Sequence, residues 1–188
     1  MNTRNILSLK RRDMMAAVIL GVTAGAIATI AERVDAVFTG GNYTLLGYVN
    51  TYTWLIVSAA LFGPVGSVLT TETQALIGLI TFANPLSWLW PFINFIFAVG
   101  VGFVSLIISK IRPSSSTSIK LVFMSLTCAI LDIPLVYVVV VMALGLPSIV
   151  YWGSLPIYIV LQLIPSTFLS HVIVRAILRS EILGKRSE

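Results

Sequence analysis

The chain consists of long apolar segments separated by short breaks that are polar or contain glycine and proline. The breaks fall at Glu32–Tyr48, Gly63–Pro64, Ala83–Pro85, Arg112–Ser118 and Gly145–Gly153. A helix needs about 20 apolar residues to cross a bilayer, and inside lipid every backbone hydrogen bond must be made within the protein. Charged residues make up only 10% of the 188 residues, whereas a soluble domain has about 25%. The pattern therefore predicts an all-α membrane protein.

Six apolar segments predict a bundle of six transmembrane helices. We place them at about 14–31, 49–62, 65–83, 88–111, 119–144 and 155–178. They form one transmembrane domain over residues 1–188, because the short breaks leave no room for a soluble catalytic domain. A cleaved secretory signal, with a cleavage site at residues 28–34, is a weaker interpretation of the first segment, because the other apolar segments behave alike and the first has packing features of its own.

The positions of the basic residues predict how the bundle is oriented. With six helices, both termini and the 112–118 loop lie on one side, and that side holds eleven of the twelve Lys and Arg residues. Only Arg33 lies on the other side. The positive-inside rule places the basic side, and hence both termini, in the cytoplasm of a multi-pass protein of the cell membrane. The net charge of +5 is therefore a topology signal, and we expect no nucleic-acid partner.

Two carboxyl groups fall within predicted spans, where a charge costs at least a few kcal/mol. Glu72 lies near the middle of the third helix, in the polar stretch Thr70–Gln74. Asp132 lies near the middle of the fifth helix, two residues before Pro134. Each side chain has two interpretations, which are a structural hydrogen-bonding role and contact with a substrate.

The remaining reactive side chains argue against a metal or disulfide site. Cys128 is the single cysteine and lies in an apolar segment, so a disulfide or a cysteine-based metal site is not supported. His171 and Arg175 lie towards the cytoplasmic end of the sixth helix, where snorkelling and capping roles are ordinary. We expect no metal and no cofactor.

Aromatic and amide side chains gather at the predicted outer ends of the helices. Trp54 lies in the second helix, and two pairs spaced four residues apart, Trp90 with Asn94 and Tyr158 with Gln162, lie in the fourth and sixth. Residues with this spacing share a helix face, so each pair sets an aromatic plane beside an amide. An interfacial aromatic belt explains the aromatic rings alone, but it does not explain the amides. The set predicts a site for a flat, hydrogen-bonding small molecule.

A stripe of small residues runs along the first helix, formed by Ala17, Gly21, Ala24 and Ala28. Small side chains allow another helix to approach closely. The stripe therefore packs either against another helix of the same chain or against a separate membrane subunit.

The chain resembles the substrate-binding S component of an energy-coupling factor (ECF) transporter. The resemblance covers nearly the whole chain and rests on the six short-looped helices, the small-residue stripe, the long outer loop after the first helix, and the segment Leu61–Gly66. Ala24 and Ala28 match the family's Ala-x-x-x-Ala pattern, whereas Ala17-x-x-x-Gly21 departs from it. The chain is more loosely similar to the hydroxymethylpyrimidine and thiamine type at Tyr52–Ser58, Glu72 with Ala75, Asn84–Pro85, and Asp132.

The resemblance implies a binding subunit rather than an enzyme. Such a subunit takes up a vitamin-like molecule, here best thiamine or its hydroxymethylpyrimidine precursor, and works with a transmembrane coupling subunit and two cytosolic ATPases. The chain itself has no Gly-x-x-x-x-Gly-Lys-Ser/Thr phosphate loop, so ATP hydrolysis must come from partners. The implied substrate contacts are Glu72, Trp54, Trp90, Asn94, Asp132, Tyr158 and Gln162, and the implied contact with the coupling subunit is the small-residue stripe.

Two other classes of protein stay open. A stand-alone secondary carrier usually has internal repeats, and the sequence shows none that is convincing. An intramembrane enzyme could use Glu72 with Asp132, whereas a serine-type protease would need His171 at working depth beside a presented serine. Thiamine-like uptake remains the better fit to the aromatic and amide pairs.

Overall fold

The computed structural model describes residues 9–39, 44–82, 87–112, 116–143 and 145–180, and these residues are almost entirely helical. The described residues form five α-helices, with a 3-10 turn at Ser87–Leu89 and a π-helical segment at Val138–Ala143. The α-helices are α1 (Arg11–Thr39), α2 (Leu45–Thr81), α3 (Trp90–Ile111), α4 (Thr117–Tyr137) and α5 (Ser148–Arg179).

All five helices are long and apolar enough to cross a membrane. Large apolar side chains cover the outside of the described part, among them Ile80 at 75% exposed, Ile111 at 72% and Phe168 at 65%. Such an apolar exterior is suited to lipid and not to water. The chain is an all-α, multi-pass membrane protein, as the sequence predicts.

The chain reverses its direction inside α2, at Gly63. This glycine has φ 70° and ψ −160°, a backbone conformation that is outside the helical region and strained for any side chain with a Cβ. The Gln74 amide donates a hydrogen bond of 2.6 Å to Thr51 Oγ1. In a straight helix these residues would be roughly 34 Å apart, because each residue adds about 1.5 Å. The halves of α2, residues 45–62 and 64–81, therefore lie side by side as an antiparallel pair.

The α2 hairpin forms the centre of the fold. It packs against α1, α3, α4 and α5, while α1 packs against α2 alone among the described elements. The core is centred on the first half of α2, where Leu55, Ile56 and Val57 are at most 1% exposed. The core cluster continues into α3 and α4 through Val101 and Met124.

The small-residue stripe of α1 lies against α2. Ala17 and Ala24 are completely buried and Ala28 is 4% exposed. The Thr70 hydroxyl donates to the Ala17 carbonyl at 3.0 Å, and a Cβ on Gly21 would come within 2.6 Å of the Thr70 carbonyl oxygen. The structure places the stripe inside the chain, so these side chains offer no free surface to a coupling subunit.

Several helix boundaries differ from those predicted. α1 continues eight residues past the predicted end, through the polar segment 32–39 that the sequence pattern assigns to a loop. The reason is that this segment is packed and bonded: the Asp35 carboxylate accepts from the backbone N–H groups of Leu46 and Gly47 at 3.0 and 2.9 Å. α5 likewise begins at Ser148, seven residues before the predicted start. The Asn84–Pro85 pair lies outside the described residues.

Candidate functional site

A small cavity lies between α1, α3 and the two halves of α2. The end of α1, the start of α2, the middle of its second half and the start of α3 supply the lining. The polar and aromatic lining residues are Glu32, Thr44, Tyr48, Thr51, Tyr52, Thr71, Gln74, Trp90, Asn94 and Phe97. The volume is about 30 Å³, which holds one or two water molecules. In this conformation the lining residues leave little free space in the cavity.

Three lining residues carry a buried polar atom without a hydrogen-bond partner in the described chain. These atoms are Glu32 Oε2, Gln74 Oε1 and Trp90 Nε1. A buried polar atom that is left unpaired costs about 1 to 3 kcal/mol, so a native structure normally gives it a partner. Two acceptors and one donor are therefore available to a molecule in the cavity.

Other polar groups of the lining are held by the protein itself. The Gln74 amide nitrogen donates to Thr51, which leaves the Gln74 carbonyl oxygen as an acceptor with a fixed orientation. The Asn94 amide nitrogen donates to the Thr71 carbonyl at 3.3 Å. These bonds tie the hairpin of α2 together and tie it to α3, so the polar groups are set in place before a ligand arrives.

Four aromatic rings form a continuous wall of the cavity. Trp90 and Tyr48 meet edge to face with ring centroids 5.6 Å apart, and Tyr48 meets Tyr52 at 5.8 Å. Tyr52 then packs against Phe97 at 5.5 Å. Tyr52 and Phe97 are buried, whereas Tyr48 and Trp90 are half-buried. The wall thus has a fixed inner part and an outer part with more room to move.

The lining is acidic. Glu32 is its single ionisable carboxyl group among the described residues, and the described lining includes no Lys, Arg or His. Asp35 lies one turn further along α1, but both of its carboxylate oxygens accept from the start of α2. Glu32 therefore provides the carboxyl group that can ionise in the cavity, and the adjacent aromatic rings favour a cation.

Of the predicted site residues whose side chains the structure describes, only Trp90 and Asn94 line the cavity. Glu72 does not line it, because Thr71 faces the cavity and the next residue points about 100° away on a helix. Trp54 has a structural role: its indole N–H donates to the Asn50 side chain at 3.0 Å, and Asn50 donates to the Ala24 carbonyl. Trp54 thus helps to fasten α1 to α2.

Asp132 and Gln162 lie in the interior but do not line the cavity. Each is 1% exposed. Asp132 Oδ1 and the two amide atoms of Gln162 have no hydrogen-bond partner in the described chain. The side chain of Tyr158 lies outside the described part of the structure.

Glu32 and Gln74 are lining residues that are not among the predicted substrate contacts. A signal for Gln74 is present in the sequence, because it belongs to the same polar stretch, Thr70–Gln74, as Glu72. Glu32 has no such signal, since the sequence pattern assigns it to a loop. Its role depends on the continuation of α1, which follows from contacts with α2 that are distant in sequence.

The cavity combines one carboxyl group, one amide oxygen and one indole N–H with a wall of aromatic rings. This arrangement can bind a flat molecule that carries hydrogen-bond donors or a positive charge. No family model, curated protein or solved structure matches the chain.

Proposed function

We propose that this chain is a membrane subunit that binds a vitamin-like small molecule for uptake, as the S component of an ECF-type transporter does. The observation that carries the proposal is the small cavity in the described part of the chain. Its lining has three polar atoms without a hydrogen-bond partner, on Glu32, Gln74 and Trp90. Water can partner such atoms, but the aromatic wall beside them favours an organic ligand.

The proposal includes six membrane crossings with both termini in the cytoplasm. Each half of α2 has 18 residues, and a helix of that length spans roughly 27 Å, close to the thickness of the hydrocarbon core. The cavity is formed by the end of α1 and the starts of α2 and α3, which in this topology face outwards, opposite the basic end of the bundle. The ligand then enters from outside the cell.

The ligand class follows from the lining. An acidic aromatic cavity favours a flat ring with a positive charge or with exocyclic amino groups. Thiamine and its hydroxymethylpyrimidine precursor have these features and are our best candidates. A ligand of that size needs a cavity of about 300 Å³ or more, so the half-buried Tyr48 and Trp90 must move outwards when it binds.

Transport further requires partners, which we propose to be a transmembrane coupling subunit and two cytosolic ATPases. The absence of a phosphate-binding loop from this sequence supports an external source of energy. The coupling subunit must meet a surface other than the buried stripe of α1, since that stripe is occupied by α2.

Calorimetric titration of the purified subunit with thiamine, and separately with hydroxymethylpyrimidine, tests the proposal. We expect saturable binding of at least one of them, and a loss of about 10-fold or more in affinity for Glu32→Gln, because a hydrogen bond to a charged group contributes about 1.5 to 3 kcal/mol. Glu72→Gln is the matched control and should change affinity less than about 2-fold, because Glu72 does not line the cavity. If the two variants weaken binding equally, or if neither compound binds, the proposed site or its ligand is wrong.

A further inference from the structure

The second half of α2 contributes one helical face to the cavity, and the side chains on this face become small towards its end. The lining residues from this segment are Thr71, Gln74, Ala75 and Gly78, which have the i, i+3, i+4, i+7 spacing of a single face. Ala75 is 2% exposed and Gly78 is also buried. At Gly78 the cavity is therefore bounded by bare helix backbone.

Gly78 borders space that the described chain does not fill. A Cβ built on Gly78 would have no heavy atom within 4 Å apart from the adjoining backbone. Because Gly78 is buried and lines the cavity, this space lies inside the protein and belongs to the cavity. Gly47, in the first half of α2, also lines the cavity, but a Cβ there would come within 2.8 Å of Glu32 Cγ. The open space of the two glycines is therefore on the side of Gly78.

An acceptor without a partner in the described chain lies one helical turn from this space. Gln74 is 4% exposed, and its amide nitrogen donates to Thr51 Oγ1, so its carbonyl oxygen is the atom left for another donor. Gln74 and Gly78 are four residues apart and share a helix face. One turn is about 5.4 Å, which is comparable with the width of a six-membered ring. A ring over Gly78 can therefore place an amino group at Gln74.

We propose that the flat ring of the ligand lies on the backbone of Gly78, and that Gly78 thereby determines which ligands fit the cavity. This inference deepens the proposed function and rests on it, because it names the part of the cavity that the ligand ring occupies. A side chain at position 78 would take the place of the ring. Since the opposite wall consists of aromatic rings, the space favours a planar ring over a branched aliphatic ligand.

Calorimetric titration of the full-length subunit with thiamine tests the proposal. Gly78→Ala puts a methyl group into the space and should weaken binding about 10-fold, and Gly78→Leu should abolish measurable binding. The same losses are expected for hydroxymethylpyrimidine, since the two compounds share the aminopyrimidine ring. The control Gly153→Ala adds a methyl group to an exposed glycine of α5, where a Cβ also meets nothing within 4 Å, and should leave affinity unchanged. Equal affinities of Gly78→Ala and the wild type overturn the proposal.

The unfolding temperature of the ligand-free protein separates this role from a structural one. Alanine is more favourable than glycine inside a helix, and no atom of the described chain is in the way of the new methyl group. Gly78→Ala should therefore unfold at the same temperature as the wild type or at a higher one, while it binds thiamine more weakly. A lower unfolding temperature, or a protein that does not fold, means that the space at Gly78 is not free, and the proposal fails.

The titrations also separate this inference from the proposed function. If neither thiamine nor hydroxymethylpyrimidine binds the wild type, the proposed function is wrong and the inference falls with it. If thiamine binds and Glu32→Gln weakens binding, but Gly78→Ala does not, the proposed function stands and the ring of the ligand lies elsewhere in the cavity.

Discussion

At the scale of single residues, neighbours in the sequence have different roles because a helix turns by about 100° per residue. Trp88, in the 3-10 turn, and Trp90, at the start of α3, also have different roles: Trp88 is 58% exposed, while Trp90 lines the cavity and holds an indole N–H without a partner in the described chain. An interfacial belt accounts for Trp88 but not for Trp90. The two residues therefore provide a matched pair for an experiment.

We predict that Trp90→Phe weakens thiamine binding about 3- to 10-fold, since it removes one donor whose net contribution is about 0.5 to 1.5 kcal/mol. Trp88→Phe removes the same indole from an exposed position and should change affinity less than about 2-fold. Both are measured by titration calorimetry. Equal effects in the two variants mean that the indole N–H of Trp90 does not contact the ligand.

The site can be predicted only in part from the sequence, for reasons that individual residues make plain. The spacing of Trp90 and Asn94 is sufficient to place both on one face, and both line the cavity. The choice between Glu72 and Gln74 depends on how the second half of α2 is rotated. The polar residues Thr70–Gln74 point in all directions around the helix, so no sequence pattern fixes that rotation. The position of Glu32 in the cavity can be predicted only if the contact between Asp35 and α2 is known, because that contact accompanies the continuation of α1.

At the scale of the helices, close approach between backbones decides which substitutions are tolerated. A Cβ added to Gly102 on α3 would come within 2.5 Å of the Pro64 Cα, next to the turn of the α2 hairpin. A Cβ added to Gly100 would meet the end of the Leu131 side chain at 2.7 Å, and this end can rotate away. The first contact is with backbone that cannot move without separating two helices.

We therefore expect Gly102→Ala to destabilise the protein by about 1 to 3 kcal/mol, which is typical of overpacking. Gly100→Ala should have a clearly smaller effect. Thermal unfolding of the two variants in the same detergent compares them directly. A Gly102→Ala protein as stable as the wild type contradicts the close packing of α3 on the hairpin turn.

A second pair of variants tests the packing of α1. Ala24 is completely buried against α2, and Ala26, two residues away, is exposed. Ala24→Leu should lower the folded yield and the unfolding temperature, because the larger side chain forces α1 away from α2. Ala26→Leu adds the same atoms on the lipid side and should have little effect. If Ala24→Leu folds normally and only uptake fails, the stripe serves a partner after all.

At the scale of the whole molecule, the sequence is sufficient to predict the class of fold and the positions of the apolar segments. The break at Gly63–Pro64 is visible in the sequence, and the structure places a reversal of the chain there. The sequence does not reveal that α1 continues to Thr39 or that α5 begins at Ser148. The end of α1 contains polar residues, and Gly145, Pro147 and Gly153 surround the start of α5, so both ends look like loops in the sequence.

The orientation of the bundle gives a prediction for the intact cell. In a Cys128→Ser background, a cysteine in place of Ser116, at the start of α4, should not react with an impermeant reagent added outside, because the basic end faces the cytoplasm. A cysteine in place of Phe38, which is 84% exposed near the end of α1, should react. Labelling at position 116 together with protection at position 38 would mean that the bundle has the opposite orientation.

The single-residue turn at Gly63 also has a consequence for biogenesis. No polar loop separates the two halves of α2, so the translocon receives 37 mainly apolar residues without a pause between them. The first half cannot be released into lipid as an independent segment while the second waits, because the turn holds them side by side. We expect the two halves to enter the bilayer together and to pack against α1, which is already inserted.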